Sequence, residues 1–425
     1  MTVVEPRNTW KKNKPRNTRN ARKKNRRDEM TSTVYIAKNV YGGDGLGRLG
    51  DGRVVFVPGA WAGEQVKAEI VEEKRNYVKA RLVEVVEKSP DRVECDVERV
   101  VPGMVYANLS YEGELKAKES QLKEFLERAR IEVPEFLSAK GGSEFNYRNK
   151  VVYHFAKYGN VWRIGYRTEP SHEIVDVADD PLARPEINAK LGEIRRAVTT
   201  LLTTGPIQVR KDTERKGSVT VRWTKKSGVK WWIGDAPKDM VLKETTCALD
   251  FEVPADGFYQ VNTDVGEELA KAVVAEYQKG AAEAPEVLDL YCGVGVLGLC
   301  CKPPRLTGIE SGRQAIEFAK RNAAAQKAVD VRFFSEQVGR NIGRIKIGPR
   351  TTVIVDPPRG GLEPNVPKWL AASNAPRILY VSCDPATLMR DLRVISRGYG
   401  VESVCWFNMF PRTARFETLV SLKRR

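Results

Sequence analysis

The chain has 425 residues, 41% of them hydrophobic and 30% charged, so one ordinary core is too small and two or three domains are expected. No run of eighteen apolar residues exists, which excludes a membrane-crossing helix, and the basic N-terminus lacks the apolar stretch of a secretory signal. A net charge of +16 points to a polyanionic partner. Seven scattered cysteines suit a reducing cytoplasm; with only His154 and His172 and no Cys-x-x-Cys pair, no metal site is expected.

Residues 1–29 read as a disordered basic tail. Residues 1–27 hold eleven Lys and Arg against one acid, Glu5, in a background of Asn, Thr and Pro that cannot bury a core. Such a segment binds phosphates or serves solubility alone. Residues 30–88 are expected to be all-β, with strands in "TVYIAKNV", "RVVFVPGA", "EQVKAEIVEEK" and "YVKARLVEVVEK" around the turn-rich "YGGDGLGRLGDG". Short strands of this kind make a small closed barrel. The glycine loop and "VPGAWAGEQVKAEI" resemble a TRAM domain, an OB-like RNA-binding barrel, which holds RNA by charge and stacking. The alternative is a barrel that only packs on its neighbour.

Residues 89–256 read as a central α+β domain. In residues 109–130, Leu109, Leu115, Leu122, Phe125 and Leu126 share one helical face, so a scaffold helix packing on the C-terminal domain is expected. Strands follow in "YRNKVVYHFAKYGNVWRIGYR", then the amphipathic helix "PEINAKLGEIRRAVTTLL", then strands in "GSVTVRWT" and "KWWIGD". Tyr153, Trp162, Arg163, Tyr166 and Arg167 interleave aromatic and basic side chains; they either stack bases or face a core.

Residues 257–425 alternate helix and strand, which implies a parallel, doubly wound sheet. "EVLDLYCGVG" ends a strand at a glycine turn, where Gly293 lets backbone approach a ligand. In "LTGIE", Glu310 ends the next strand, where an acid can bind both hydroxyls of a ribose. That spacing serves a dinucleotide or S-adenosylmethionine. Gly298 misses the third position of G-x-G-x-x-G, and Asp289 suits a cationic sulfonium better than pyrophosphate, so the latter ligand is preferred. In "VIVDPPRGGL", Asp356 ends a third strand and faces the same crevice. Cys383 ends a fourth, with Asp384 as helix N-cap and Pro385 as first helical residue. A lone strand-end Cys is ordinarily core, but these neighbours favour a nucleophile. The helix N-terminus favours the thiolate, Asp384 opposes it and Arg390 is expected to offset Asp384. Glu417 in "FETLVSL" is either an edge residue or a buried base, and Arg412 and Arg415 place two cations nearby.

Together, "GFYQVN", "DLYCGVG", "GIE", "VDPPRGGL", "SCDPATLMRDL" and "MFPRTARFE" resemble the RNA 5-methyluridine methyltransferases over nearly all of the chain after residue 30. The resemblance implies an α/β fold: a Rossmann-like S-adenosylmethionine-dependent methyltransferase domain (257–425) preceded by an OB-like barrel and an α+β domain. It implies Cys383 as nucleophile, Glu417 as general base, and Gln260, Tyr291, Glu310 and Asp356, beside Gly293, as cofactor-binding positions. A thiolate on carbon 6 of uracil makes carbon 5 nucleophilic, a base then removes the carbon 5 proton, and the target base must be flipped out. The implied partner is RNA, 23S ribosomal RNA first because of the barrel and transfer RNA second, with the chain a monomer. Many members bind an iron–sulfur cluster, but here Val101, Met104 and Asp180 replace all its cysteines except Cys95, so no cluster is expected. Val296 also replaces a common Asn, and Arg412 and Arg415 stand where histidines are common. A catalytically idle RNA-binding homologue, an amino-group methyltransferase and a cytosine carbon 5 enzyme are the competing readings. Survival of Cys383 and Glu417, Arg359 after Pro-Pro, and Ser382 before Cys383 disfavour them in that order.

Overall fold

The computed structural model describes residues 31–159, 161–168, 171–204 and 216–425; the basic tail of residues 1–29 lies outside them. The chain divides after Pro90 into two compact units. In the first, β1 (Thr31–Asn39), β2 (Gly45–Arg48), β3 (Val54–Val57), β4 (Gln65–Glu73) and β5 (Tyr77–Glu87) close into a barrel in the order β1-β2-β3-β5-β4. Alternation puts Val34, Ile36, Val66, Ala68, Val78 and Ala80 inside, while Tyr35 stays exposed outside.

The second unit opens with α1 (Tyr111–Ala129) and β6 (Glu135–Lys140). Ser110 caps α1 by accepting from the Gly113 N–H at 3.0 Å, and Arg130 ends it in the left-handed region at φ 58°. Its buried face carries Leu122 and Leu126 as expected from the spacing, but also Glu114, Lys118 and Gln121, while Leu115 is only half-buried. The helix packs where polar partners from the end of the chain await it, and that is why charged residues occupy its inner face.

Next come β7 (Lys150–Tyr158), β8 (Val161–Arg167), β9 (Ile174–Asp176), α2 (Pro185–Thr204), β10 (Lys216–Thr224) and β11 (Gly228–Ile233). The strands form a sheet in the order β11-β10-β7-β8-β9. Ile187, Leu191, Ile194, Val198 and Leu202 of α2 are the buried stripe that covers it, in one core with Phe155, Val219 and Val221. Tyr153 is fully buried and Tyr166 half-buried, both bonded to Asp180, so the aromatic ladder of this sheet faces a core.

The hairpin β12 (Val241–Thr246) and β13 (Leu249–Pro254) leads to α3 (Thr263–Gly280), β14 (Glu286–Leu290), α4 (Val296–Cys300), β15 (Arg305–Glu310), α5 (Arg313–Ala325), β16 (Val331–Ser335), α6 (Val338–Asn341), β17 (Thr351–Val355), α7 (Val366–Ala371), β18 (Arg377–Ser382), α8 (Pro385–Ile395), β19 (Tyr399–Phe407) and β20 (Glu417–Arg424). Eight strands make one sheet, ordered β16-β15-β14-β17-β18-β20-β19-β6. β14 to β18 are parallel and β17 and β18 are buried along their whole length, as strands covered on both faces must be. Two pieces cross the boundary expected at residue 256. β6 joins the far edge of this sheet, parallel to β19, and Phe251 and Val253 of β13 belong to its core.

The positions where the family's cluster cysteines would stand are filled differently. Val101 and Met104 are buried in the core of the central sheet, beside Tyr147, Tyr153 and Leu182. Asp180 is fully buried and accepts from the hydroxyls of Tyr153 (3.0 Å) and Tyr166 (2.6 Å) and from the Leu182 and Ala183 N–H groups (3.0 and 3.3 Å). Apolar packing and one fully hydrogen-bonded carboxylate thus tie residues 101–104, β7, β8 and the start of α2 together. Asp180→Ala strands these donors and is expected to cost about 3 kcal/mol in urea unfolding; a loss below about 1 kcal/mol would show that the donors find other acceptors.

Candidate active site

The carboxyl ends of β14, β15, β17 and β18 point to one side of the sheet, where a parallel sheet presents its ligand crevice. A cavity of about 820 Å³ opens there. Gln260, Tyr291, Gly293 and Glu310 line one part of it; Asp356, Cys383 and Glu417 line the rest. All seven residues singled out in the sequence therefore meet, although they span more than 150 positions of chain.

Register explains the meeting of the last two. β18 and β20 are antiparallel with Ser382 opposite Thr418, so Cys383, one step past β18, faces Glu417, the first residue of β20. Asp356 follows β17, the parallel neighbour of β18 on its other side. Glu417 is buried, and burial followed by the Asp356 charge pushes its carboxyl well above the usual range. Burial pushes Asp356 up to about 7. The Cys383 thiol is pushed up to about 12, by burial first and then by Glu417 and Asp356, with Arg359 pulling the other way.

Asp384 caps α8 as expected, accepting from the N–H groups of Ala386 (3.0 Å) and Thr387 (3.1 Å). Arg390 feels the Asp384 charge, but its hydrogen bonds go elsewhere. Its guanidinium is held by Asp391 and by the carbonyls of Gly360 and Leu362 (3.0 and 3.1 Å). Asp391 in turn accepts from the Leu362 N–H at 2.9 Å and the Tyr380 hydroxyl at 2.8 Å. This knot fixes the loop after Asp356 and requires Gly361: φ there is +72°, and a Cβ would lie 2.5 Å from the Arg390 guanidinium. The helix N-terminus and Arg390 thus leave the thiol protonated, and the cation that acts on it is Arg359, three residues past Asp356. No spacing in the sequence signalled that role.

On the other side, Glu310, which lines the cavity, accepts from the Gly312 N–H at 2.8 Å and the Ser311 hydroxyl at 2.9 Å through a single oxygen, leaving the other out of these bonds. Tyr291 adopts φ 63°, a strained conformation for a tyrosine, and its hydroxyl donates to Glu363. Asp289 does not line the large cavity. It is buried beneath the glycine turn, where one oxygen accepts from the Gly298 N–H at 3.0 Å and the other has no partner. Burial, then the charges of Asp356 and Glu310, push it up to about 8. Asp289 lines a small adjoining pocket of about 80 Å³. Phe258, missed in the sequence, stands 70% exposed at the rim of both spaces.

The link 408–416, between β19 and β20, is held from the far side. Lys118 bonds Glu114 and Asn408 at 2.7 Å each and the Phe410 carbonyl at 3.2 Å. Both oxygens of Glu114 accept from the Arg412 N–H at 3.0 Å. Arg412 itself is buried and bonded to Glu144 and to the Tyr106 and Leu109 carbonyls, so it is not a free cation near a polyanion. Burial lowers Lys118 to about 8, against the pull of Glu114. The "GFYQVN" segment is anchored too: Asn149 of the central unit bonds the Gln260 carbonyl at 3.1 Å, and Asn262 caps α3 while bonding the Met409 carbonyl at 3.3 Å.

Sequence comparison gives this constellation a family. Residues 237–425 match the profile of the tRNA (Uracil-5-)-methyltransferase family, and residues 31–83 match the TRAM domain. An uncharacterized RNA methyltransferase of Caldanaerobacter subterraneus is 31% identical over 92% of this chain and 97% of its own. One of Thermotoga maritima is 28% identical over 92% and 99%. Among solved structures, the Pyrococcus abyssi tRNA (uracil-54, C5)-methyltransferase in complex with S-adenosyl-L-homocysteine superposes with a TM-score of 0.70 at 22% identity, over 92% of this chain and all of that one. The chain belongs to the RNA methyltransferases of the tRNA (uracil-5-)-methyltransferase family, with an N-terminal TRAM barrel.

Alkylation of Cys383 by iodoacetamide in the RNA-free protein, read by peptide mass spectrometry, tests the charge environment. A thiol near 12 makes the rate rise about tenfold per pH unit from about pH 7 to 9.5, and Arg359→Gln slows it further. A plateau near the ordinary thiol value of about 8.5 would show that the carboxylates around the sulfur do not act on it.

Proposed function

We propose that this protein methylates carbon 5 of a uridine in RNA, with S-adenosylmethionine as methyl donor, Cys383 as nucleophile and Glu417 as the base. The observation that carries this reading is the pairing of β18 with β20, which sets a thiol opposite a buried carboxylate in one cavity. A uracil carbon 5 reaction needs those two groups on neighbouring carbons of one ring.

The residues present fit the cofactor. Glu310 offers a free oxygen at the end of β15 for ribose hydroxyls, the buried unpartnered oxygen of Asp289 suits a cationic amino acid end, and Gly293, at φ 53° with nothing within 4 Å of a Cβ, leaves the turn open to a ligand. Gln260 and Tyr291 complete the wall. When bound, S-adenosylmethionine supplies the electrophilic methyl group that carbon 5 takes.

The chain's own groups do the rest. Cys383 gives its proton to solvent and its sulfur bonds carbon 6, while the electron pair of the 5,6 double bond passes to the carbon 5–carbon 4–oxygen system. After methylation Glu417 takes the carbon 5 proton, the double bond re-forms and the sulfur–carbon bond breaks. Because the thiol rests protonated, attack depends on the thiolate, whose charge Arg359 favours. The exposed ring of Phe258 offers a flat face for a base flipped out of its helix.

The target RNA is read as 23S ribosomal RNA, on the ground of the barrel. A T-loop uridine of transfer RNA is the second reading, favoured by the whole-length likeness to a tRNA (uracil-54, C5)-methyltransferase. Mapping 5-methyluridine in both RNAs with and without the gene separates them, and an unchanged map in both would favour the idle RNA-binding homologue. With RNA containing 5-fluorouridine, the wild type is expected to form a covalent adduct and Cys383→Ala none. On ordinary RNA Glu417→Gln is expected to accumulate the adduct; undiminished turnover by this variant would remove the base from Glu417.

A further inference from the structure

The active-site cavity is acidic. Glu310, Glu336 and Glu363 stand on its wall, with Asp356 and Glu417 that burial pushes toward their neutral forms, against two cations, Arg359 and Arg415. A phosphodiester strand entering such a space meets repulsion unless a cation is positioned for it. Arg415 has the attributes of that cation. It leaves the link before β20 with its N–H bonded to the Thr413 hydroxyl at 3.4 Å, and that hydroxyl bonds the Phe410 carbonyl at 2.9 Å, so a local turn fixes where the side chain emerges. Its side chain is half-buried, and its Nη1 is shielded from solvent with no hydrogen-bond partner. Among the described residues no carboxylate forms an ion pair with it, whereas Arg412, three positions earlier, pairs with Glu114 and Glu144. A charged donor shielded from water and left without an acceptor is unfavourable until one arrives.

We infer that Arg415 seats a phosphodiester oxygen of the RNA strand that carries the target nucleotide. This rests on RNA as the substrate, as proposed above. The alternative acceptor is an oxygen of the uracil ring, which lies against the reacting atoms. Arg415 lies in the link two positions before Glu417, outside the paired ends of β18 and β20 that carry the reacting thiol and carboxylate. A guanidinium with fixed N–H groups suits a phosphate, and a single phosphate contact can be met by any point charge.

The full-length chain is compared with Arg415→Met, Arg415→Gln and Arg415→Lys, using a target-site RNA. The neutral variants are expected to raise KM for RNA by roughly tenfold, with kcat at saturating RNA within about twofold of wild type. The slope of log binding constant against log salt is expected to become shallower by about 0.7, the value for one single-strand phosphate. Arg415→Lys restores most of both, and S-adenosylmethionine affinity and melting temperature stay unchanged in whichever neutral variant is well folded. A fall in kcat with an unchanged salt slope would overturn the proposal in favour of a contact to the uracil ring. Unchanged KM and slope would overturn it in favour of a packing role. The slope is read from binding, so it remains informative even if methylation of uridine fails and the functional reading falls.

Discussion

The pairing of β20 against β18 is the constraint on which the site depends. In an antiparallel ladder, residues opposite each other keep their Cα atoms about 5 Å apart, so the Ser382–Thr418 pair leaves Cys383 and Glu417 little freedom to separate. The chain enters β20 from the link 408–416, which has no regular structure of its own. Its shape comes from α1, nearly 300 positions earlier in the chain. Lys118, Glu114, Asn408 and Arg412 are all buried and all bonded to one another or to the link's backbone. A buried polar network in a low-dielectric setting, here with only the Arg412 Nε left unbonded among these four side chains, favours one geometry because others strand more charge.

The same burial sets the chemistry. Cys383, Glu417, Asp356 and Asp289 are each pushed toward their neutral forms, chiefly by loss of water and then by one another. Asp356 and Glu417 can stand close together because burial pushes each toward its neutral form. The reactivity of the site is therefore conditional: the thiolate is scarce until the balance of charge in the cavity changes. Arg359 and Arg415 share the cationic work in this space, whereas Arg412, two residues from Phe410, is a structural member buried behind the wall.

The central sheet contributes more than a platform. Asn149 holds the carbonyl of Gln260 and Tyr147 holds that of Pro411, so the walls on both sides of the cavity are tied to the residues just before β7. The Asp180 cluster keeps that region rigid with hydroxyl and amide donors. Apolar packing at Val101 and Met104 adjoins this carboxylate in the same core.

Local pattern in the sequence determined a good deal. The alternation of β1, β4 and β5 dictates a barrel, the continuous apolar runs of β17 and β18 dictate a buried parallel sheet, and Asp384-Pro385 dictates a helix start, because each is a short-range matter of period, propensity or capping. The candidate residues were legible for the same reason, since strand ends in such a sheet converge on one crevice. Tertiary structure alone decided the rest. Glu114 and Lys118 look like an exposed i,i+4 pair until Asn408 and Arg412 close over them. Arg390 looks available until Asp391 and two carbonyls hold it, and Asp289 looks wholly free until the Gly298 N–H claims one of its two oxygens. Tyr153 and Tyr166 look like a stacking surface until Asp180 turns them inward. Charge and hydrogen-bond partnership depend on which atoms arrive from distant parts of the chain, and no local period encodes that.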